Sequence, residues 1–472
     1  MKRYAYLFII LVVSTLVILS GCEQPNGGDD GTISVGDTLD GGFEVTYVDD
    51  GGGYFAERTE DGETQVLVAN RFLEDIEFTA DKVWLLSGPV FIGNGAQDPA
   101  NAADNTLTIA AGTEIRGEVS TVSPGLLVID RGSDIDAQGT ASDPIVFTSA
   151  NPAGEREAGD WGGIIINGYS QVQGGYATGE GGTGEYGGGD SPVLDDNSGT
   201  LQYVRVEFAG TLFSPDNELN GISFNGVGSG TTVDYIQVHQ NADDGVEFFG
   251  GTVDVRHVVL TGNQDDSLDH DDGWDGTAQY VFIQQYPGGD HGIEGDGDPI
   301  VGSIDPVKAV LANFTYVGSP DTTDDGFRFR RAAEPTVLNS LITNVSAGET
   351  SIDEETTADD GSDESAGTVT YKNVVVTSAP ESSAEVDWSD GSDGNSQVAN
   401  TPFTGWVASL ASGEYSFPSD PEYTYGSFDA GAVTVADRTG ENGTVVDDTS
   451  YVGALEPGGT NWISGWITQA EN

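Results

Sequence analysis

Apolar and polar residues alternate in short runs along this chain, and no long stretch repeats at the helical period. Val83–Ile92, Leu126–Ile129 and residues 145–147, 253–259 and 369–376 are such runs, bounded by Gly, Asn or Asp. They predict β-strands. The pattern also recurs. Asn220-Gly221-Ile222-Ser223-Phe224 returns as Asp244-Gly245-Val246-Glu247-Phe248 and as Asp266-Ser267-Leu268-Asp269. It returns again as His291-Gly292-Ile293-Glu294 and as Asp325-Gly326-Phe327-Arg328-Phe329, at steps of 24, 22, 25 and 34 residues. An alternating strand precedes each copy, at 201–208, 233–239, 253–260, 280–284 and 310–317. A period of twenty-odd residues in an all-β chain predicts a solenoid, one turn per unit, with the apolar residue inward and turns about 4.8 Å apart. The long last step predicts an inserted loop around Gly318 to Thr323. Runs at 107–109, 126–129, 144–147 and 161–164 extend the stack toward the N-terminus at steps of about 20 residues. The glycine-rich stretch 174–189 reads as a loop leaving the coil. A propeller or sandwich would need longer units or frequent hairpin signals. The expected fold is therefore all-β: a right-handed parallel β-helix, a single solenoid, over residues 106–378. An N-terminal β region or cap is expected over 41–105, and a C-terminal β or irregular cap over 379–472.

The beginning of the chain departs from this pattern. Lys2 and Arg3 precede an apolar run over 4–19 that is too short and wrongly flanked for a membrane span. Leu19-Ser20-Gly21-Cys22 follows and resembles a bacterial lipobox. Residues 1–21 thus read as a lipoprotein signal peptide, with Cys22, the only cysteine, as the lipid-attachment residue and the link to a bilayer. Glu23 after the cysteine favours the outer membrane, with the protein at the cell surface. Residues 22–40, opening with EQPNGGDDGT after the cysteine, read as a flexible tether.

Composition narrows the partners. The formal charge is −62, and loss of Lys2 and Arg3 makes it −64. Like charge excludes nucleic acid and anionic lipid surfaces as partners. Lysine occurs only at 2, 82, 308 and 372. An acidic, lysine-poor chain suits concentrated salt, where the Debye length falls to about 3 Å near 1 M, so a halophilic setting is expected. The 43 aromatic residues argue against disorder outside the tether and residues 351–366.

Several stretches resemble a family of right-handed parallel β-helix lipoproteins from Gram-negative bacterial envelopes. They are LTIAAGTEIRG at 107–117, PIVFTS at 144–149, GDWGGIIIN at 159–167, LQYVRVEFAG at 201–210, residues 218–230, GVEFFGGT at 245–252 and YVGALEPGGTNWISGW at 451–466. The resemblance covers most of residues 83–466. It implies the fold and the envelope location, and no activity.

Stacked turns would turn the repeat into ladders of side chains. Asp243, Asp265, Asp290 and Asp324 share one position, and Asn220, Asp244, Asp266, His291 and Asp325 share the next. Glu247, Asp269, Glu294 and Arg328 share a third. Carboxylates about 5 Å apart repel by about 3 kcal/mol at an effective dielectric of 20. Bound cations, raised carboxyl pKa values or outward splay must relieve this. The metal reading is Ca²⁺ held by Asp243, Asp244, Asp265, Asp266, Asp269, Asp271, Asp290 and Asp324, densest in DDSLDHDDGWD at 265–275. No EF-hand loop occurs, and GGTGEY at 181–186 has Tyr186 where a calcium-binding nonapeptide needs aspartate. The structural reading is turn capping by Asp and Asn before Gly.

A catalytic alternative uses Asp243, Asp244, Asp266, His291 and Arg328 as a polysaccharide lyase or hydrolase. NADDG at 241–245, GDHG at 289–292 and RFRR at 328–331 resemble in part the stations of pectin hydrolases, with Arg330 where lysine belongs. His239, His257, His270 and His291 read as solvated or ladder residues. Arg328, Arg330 and Arg331 read as neutralising the acidic ladder. Trp274, Trp388 and Trp406 are expected to be exposed and able to stack on sugars. Trp462 and Trp466 are expected to plug the open end of the coil. The leading expectation is a structural, adhesion or glycan-binding surface lipoprotein, with a glycan or protein ligand. A further alternative is an accessory lipoprotein of an outer-membrane uptake system.

Overall fold

The computed structural model describes residues 32–213, 218–297, 308–319, 325–345, 349–354, 367–376, 395–397, 446–447, 449, 451–456 and 460–468. The signal peptide, Cys22, Asp324, Trp388, Trp406 and most of 379–472 lie outside them. Among the described residues, 27 strands join in one hydrogen-bonded sheet wound into a coil, and no helix is long and apolar enough to cross a membrane. The parallel β-helix expected from the repeat is the observed fold.

Each regular turn uses one long strand and one short strand. The long strands Gly199–Glu207, Thr232–His239, Val255–Thr261, Thr277–Gln284 and Val310–Val317 bend in the middle and supply two faces of the coil. The bends fall at Tyr203, Tyr235, His257, Tyr280 and Asn313, whose φ values are +49° to +62°. A left-handed residue breaks the pleat, so the strand turns a corner there and continues. The short strands Ile222–Asn225, Val246–Phe249, Leu268–Asp271, Ile293–Asp296 and Phe327–Arg330 stack in parallel as the third face. Inward apolar residues fix this register. Ile164, Ile222, Val246, Leu268, Ile293, Phe327 and Ile352 pair turn upon turn, none more than 1% exposed. Each such side chain contributes about 1.5–3 kcal/mol, and a slip of one residue would carry them all outward.

The coil begins ahead of residue 106, because Glu63–Phe72 already pairs in parallel with Val83–Ile92. On its other edge Glu63–Phe72 pairs antiparallel with Tyr54–Glu60, through a turn whose Asp61 and Gly62 are both left-handed (φ +51° and +90°). This is the Asp-Gly hairpin signal. Tyr47, Phe55, Phe72, Phe78 and Trp84 gather at this end with ring centroids 4.2–6.5 Å apart. The expected tether ends before residue 40, since Ile33 and Leu39 pack with Phe43, Val45 and Ala56.

Three expectations about the coil need correction. Residues 107–109 and 126–129 are not one turn apart. Leu107 pairs with Ile135 on the first face, whereas Leu127 pairs with Ile164 on the third, so these early turns are longer than 20 residues. The long step before Phe327 does not arise around Gly318 to Thr323. Val281 is already 33 residues from its partner Phe314, which places the added chain between Asp296 and Val310. Finally, Trp462 and Trp466 do not plug the end of the coil: they lie along its side, edge-on to Tyr203, Tyr235 and His257.

Candidate metal centre on the third face

The outward row of the third face runs Ser223, Glu247, Asp269, Glu294, Arg328, Asp353, each in register with the next. The turn leading into each short strand carries the second ladder. There, Asp244 Oδ1 accepts from Asp266 N at 2.9 Å, Asp266 Oδ1 from His291 N at 2.8 Å, and Asp325 Oδ1 from Thr350 N at 2.5 Å. Each carboxylate thus bonds the backbone of the next turn of the coil, 22–25 residues on, rather than its own turn as Asp before Gly does in isolated turns. These bonds and the crowding of carboxylates are consequences of the same repeat.

Four overlapping sets result, each with three ligand atoms within 4.8 Å of one another: Asp243, Asp244 and Asp265; Asp244, Glu247 and Asp269; Asp266, Asp269 and Glu294; Asp266, Asp290 and His291. Asp271 lies in the next outward row, opposite Phe249, and joins none of these sets. Asp324 lies outside the described residues. Glu247 and Glu294, ladder members that the expected ligand list omitted, complete two of the sets.

A loop supplies one more carboxylate. Residues 168–198 leave the coil and fold back over the third face. Asn220 Nδ2 donates to Glu180 Oε2 at 3.0 Å and also to Glu247 Oε2. Tyr186 donates to Asp272 Oδ2 at 3.0 Å, and its ring lies against Phe249. The fully buried Arg131 donates to Gly187 O at 3.0 Å and pairs with Glu185 at 3.2 Å. Gly187 (φ +90°) is required here, because a Cβ would lie 2.4 Å from Val172 Cγ2. Glu180 had no signal in the sequence beyond its place in the loop.

Burial, and then neighbouring carboxylates, raise several of these carboxyls above their usual range. Burial, then Asp265, pushes Asp243 up to about 8. Asp244, Glu247 and Asp269 are raised well above the usual range, first by burial and then by neighbouring carboxylates. Burial also raises Glu180 to about 7, Asp271 to about 7 and Glu294 to about 8. Burial opposes the charge on His291, but Asp266, Asp290 and Glu294 outweigh it and raise the imidazole to about 9. His291 Nδ1 lies 2.9 Å from Asp266 and 3.0 Å from Asp290. Near neutral pH it is an imidazolium paired with carboxylates, not a general base.

The arginines gather at one end. Arg330 binds Glu294 and reaches Asp296 at 2.5 Å, Arg331 reaches Asp296 at 2.6 Å, and Arg328 lies 3.6 Å from Glu294. They neutralise the ladder, as expected. Arg330, one turn beyond Glu294, also acts on Asp269, while among the described residues no cation forms a salt bridge with Asp244 or Glu247. The Asn220 amide, fully buried beside them, leaves its Oδ1 without a donor. Carboxylate and amide oxygens suit a hard cation.

Of the catalytic alternative, Asp243, Asp244, Asp266 and His291 do come together, and Arg328 stands three turns along from Asp244's strand, beside Glu294. Trp274 is not a sugar platform. It is fully buried, stacked on Phe248 at 4.2 Å, and donates to Val253 O. The histidines are not solvated. His239, His270 and His291 are buried, with His270 lowered to about 4 by burial in the core, and His257 is half-buried at a corner.

A family profile described as a pectate-lyase-like β-helix domain matches residues 70–364. No curated protein and no solved structure matches the chain. The profile spans more than half of the sequence, and the stacked parallel strands are those it describes: the chain belongs to the pectate-lyase-like β-helix domain family.

Proposed function

We propose that this chain is an outer-membrane lipoprotein, anchored through acylated Cys22, whose third face holds Ca²⁺ and through it binds anionic glycans at the cell surface. The observation that carries this reading is the run of overlapping acidic sets from Asp243 to Glu294, two of which (Asp243, Asp244 and Asp265; Asp244, Glu247 and Asp269) contain no salt-bridged carboxylate among the described residues. Oxygen-only ligands around Asp244, Glu247 and Asp269 favour calcium over softer ions. With a formal charge of −62 the chain repels polyanions, so a glycan carboxylate needs a cation between it and this face. The lipobox-like LSGC supports the anchor. The test is a thermal melt of the full chain in EDTA or in Ca²⁺, followed by polyuronate binding under both conditions. A rise in Tm with Ca²⁺, and binding only when Ca²⁺ is present, is the expected result. Identical melts with no ion bound in calorimetry would sink it.

The family's lyase-like description supports a second reading, in which the same groove cleaves the glycan it binds. Arg328 beside Glu294 is the candidate cation for the uronate carboxylate, and the ladder carboxylates are the candidate acid and base. Unsaturated ends appearing on a polyuronate, and lost in Arg328→Gln, would establish that activity. Their absence with binding intact leaves the binding module.

A further inference from the structure

The corner between the first and second faces carries a second surface with a different chemistry. Tyr203, Tyr235, His257 and Tyr280 stand in successive turns with ring centroids 4.4, 4.3 and 4.9 Å apart, nearly parallel. Next to this stack, Val259, Phe282 and Val317 point outward from the second face, yet are buried. What buries them is the segment 446–468, through Ala454, Leu455, Ile463 and Trp466.

The coil reads this segment mainly through its backbone. The Gln237 carboxamide donates to Thr468 O and accepts from Thr468 N, both at 2.8 Å. Gln279 makes the same two-point contact with Asp447, at 3.1 and 3.0 Å. Thr315 Oγ1 accepts from Ala454 N at 2.8 Å, and Asn339 O accepts from Gly453 N at 2.7 Å. Trp462 and Trp466 meet the ring stack edge-on at 5.0–6.2 Å. No described residue of 446–468 belongs to a strand. The coil's own pairing runs unbroken beneath it, from Gly199–Glu207 to Leu341–Thr343. The segment adds no rung to the ladder. It is seated on a surface that is complete without it.

We infer that this corner is a peptide-recognition groove, that residues 446–468 occupy it as a separable ligand, and that the same segment of a second copy can take their place. Gln237 and Gln279 recognise an extended main chain whatever its side chains, and the ring stack selects two indoles four residues apart. The 48 residues between Gln397 and Val446 extend to at most about 170 Å, enough to reach a neighbouring coil.

The test uses the full chain with a specific protease site inserted within 398–445. After cleavage, the strand signal in circular dichroism should persist, and the released fragment should stay bound until a labelled synthetic peptide of residues 446–468 displaces it. A peptide carrying Trp462→Ala and Trp466→Ala should bind at least about tenfold more weakly, as loss of two aromatic anchors predicts. Two differently tagged, uncleaved chains mixed at high concentration should capture each other, and the double substitution in both should abolish capture. The inference fails if the coil loses its strand signal when the fragment is displaced, or if the double-alanine peptide binds as well as the native one. Absence of capture between tagged chains would overturn exchange between copies.

Discussion

The third face and the aromatic corner are laid down by the same turns and meet opposite consequences. In both places the coil sets each residue against its equivalent one turn away. At the corner, Tyr203, Tyr235, His257 and Tyr280 meet ring to ring, and Asn373 Nδ2 donates to Asn339 Oδ1 at 3.0 Å further along. Aromatic rings and carboxamides are self-complementary, so repetition there stabilises. Carboxylates are not. Glu247 over Asp269 over Glu294 concentrates charge, and the same geometry becomes a liability unless a proton, an arginine or a cation intervenes. A parallel coil multiplies whatever its sequence repeats, favourable or not.

That contrast can be broken most severely from inside, where both surfaces share one core. Trp274→Ala should cost about 3–5 kcal/mol in denaturant unfolding, equally with and without Ca²⁺, because the indole is buried against Phe248. A change in glycan binding with stability intact would instead restore it as a sugar platform.

The next effect separates the faces. If Ca²⁺ occupies the clusters, the wild-type chain should gain about 2.7 kcal/mol at a hundredfold excess over Kd. The double variant Glu247→Gln and Asp269→Asn should lose that gain while resisting EDTA better than wild type. Corner substitutions should leave the gain unchanged, and calorimetry with the metal alone checks both.

Titration sharpens the same distinction. Carboxyls raised above their unfolded values bind protons that the unfolded chain has released, so stability falls as pH rises. For Glu180, Asp271, Asp243 and Glu294 the window runs from about 4 to about 8. His291 acts in the same direction: its raised value gives stability that is full below about 6.5 and lost through about 9. In EDTA the Tm should therefore decline steadily across this range, and Ca²⁺ should flatten the decline. A Tm that rises with pH in EDTA would contradict the burial of these groups.

A smaller effect lies at the boundary where arginine replaces the missing cation. Arg330→Gln should destabilise by about 1–3 kcal/mol, because Glu294 and Asp296 lose their partner in a largely buried setting. The loss should be greater in EDTA than in Ca²⁺, which melts under both conditions would show.

The coil and the ladder positions were legible because Asn/Asp-Gly-apolar units recur where the short third-face strands begin, and their spacing alone gives the register. The corner was not. Its positions hold Tyr, Tyr, His, Tyr, Asn, Asn and Asn at 203, 235, 257, 280, 313, 339 and 373, united by a left-handed backbone rather than by residue type. Trp274 was misread because Gly273-Trp274-Asp275 looks like an exposed turn, whereas the indole folds under it onto Phe248. Glu180 reaches the third face through a loop fold that glycine spacing does not encode. Longer early turns hid their pairing because their insertions carry no repeat.

The hairpin at the start of the coil has a consequence for assembly. A stack of parallel strands ends in an open edge on which another chain's strand can add, and such growth propagates into fibres. Here that edge of Glu63–Phe72 is already taken by Tyr54–Glu60, and the outermost strand is the five-residue, antiparallel Glu44–Val48. A second coil approaching from this side meets that short antiparallel strand and, on the first face, only the three-residue parallel strand Ile76–Phe78. Head-to-tail stacking of two coils has only short edges to start from at this end, which disfavours fibre growth there.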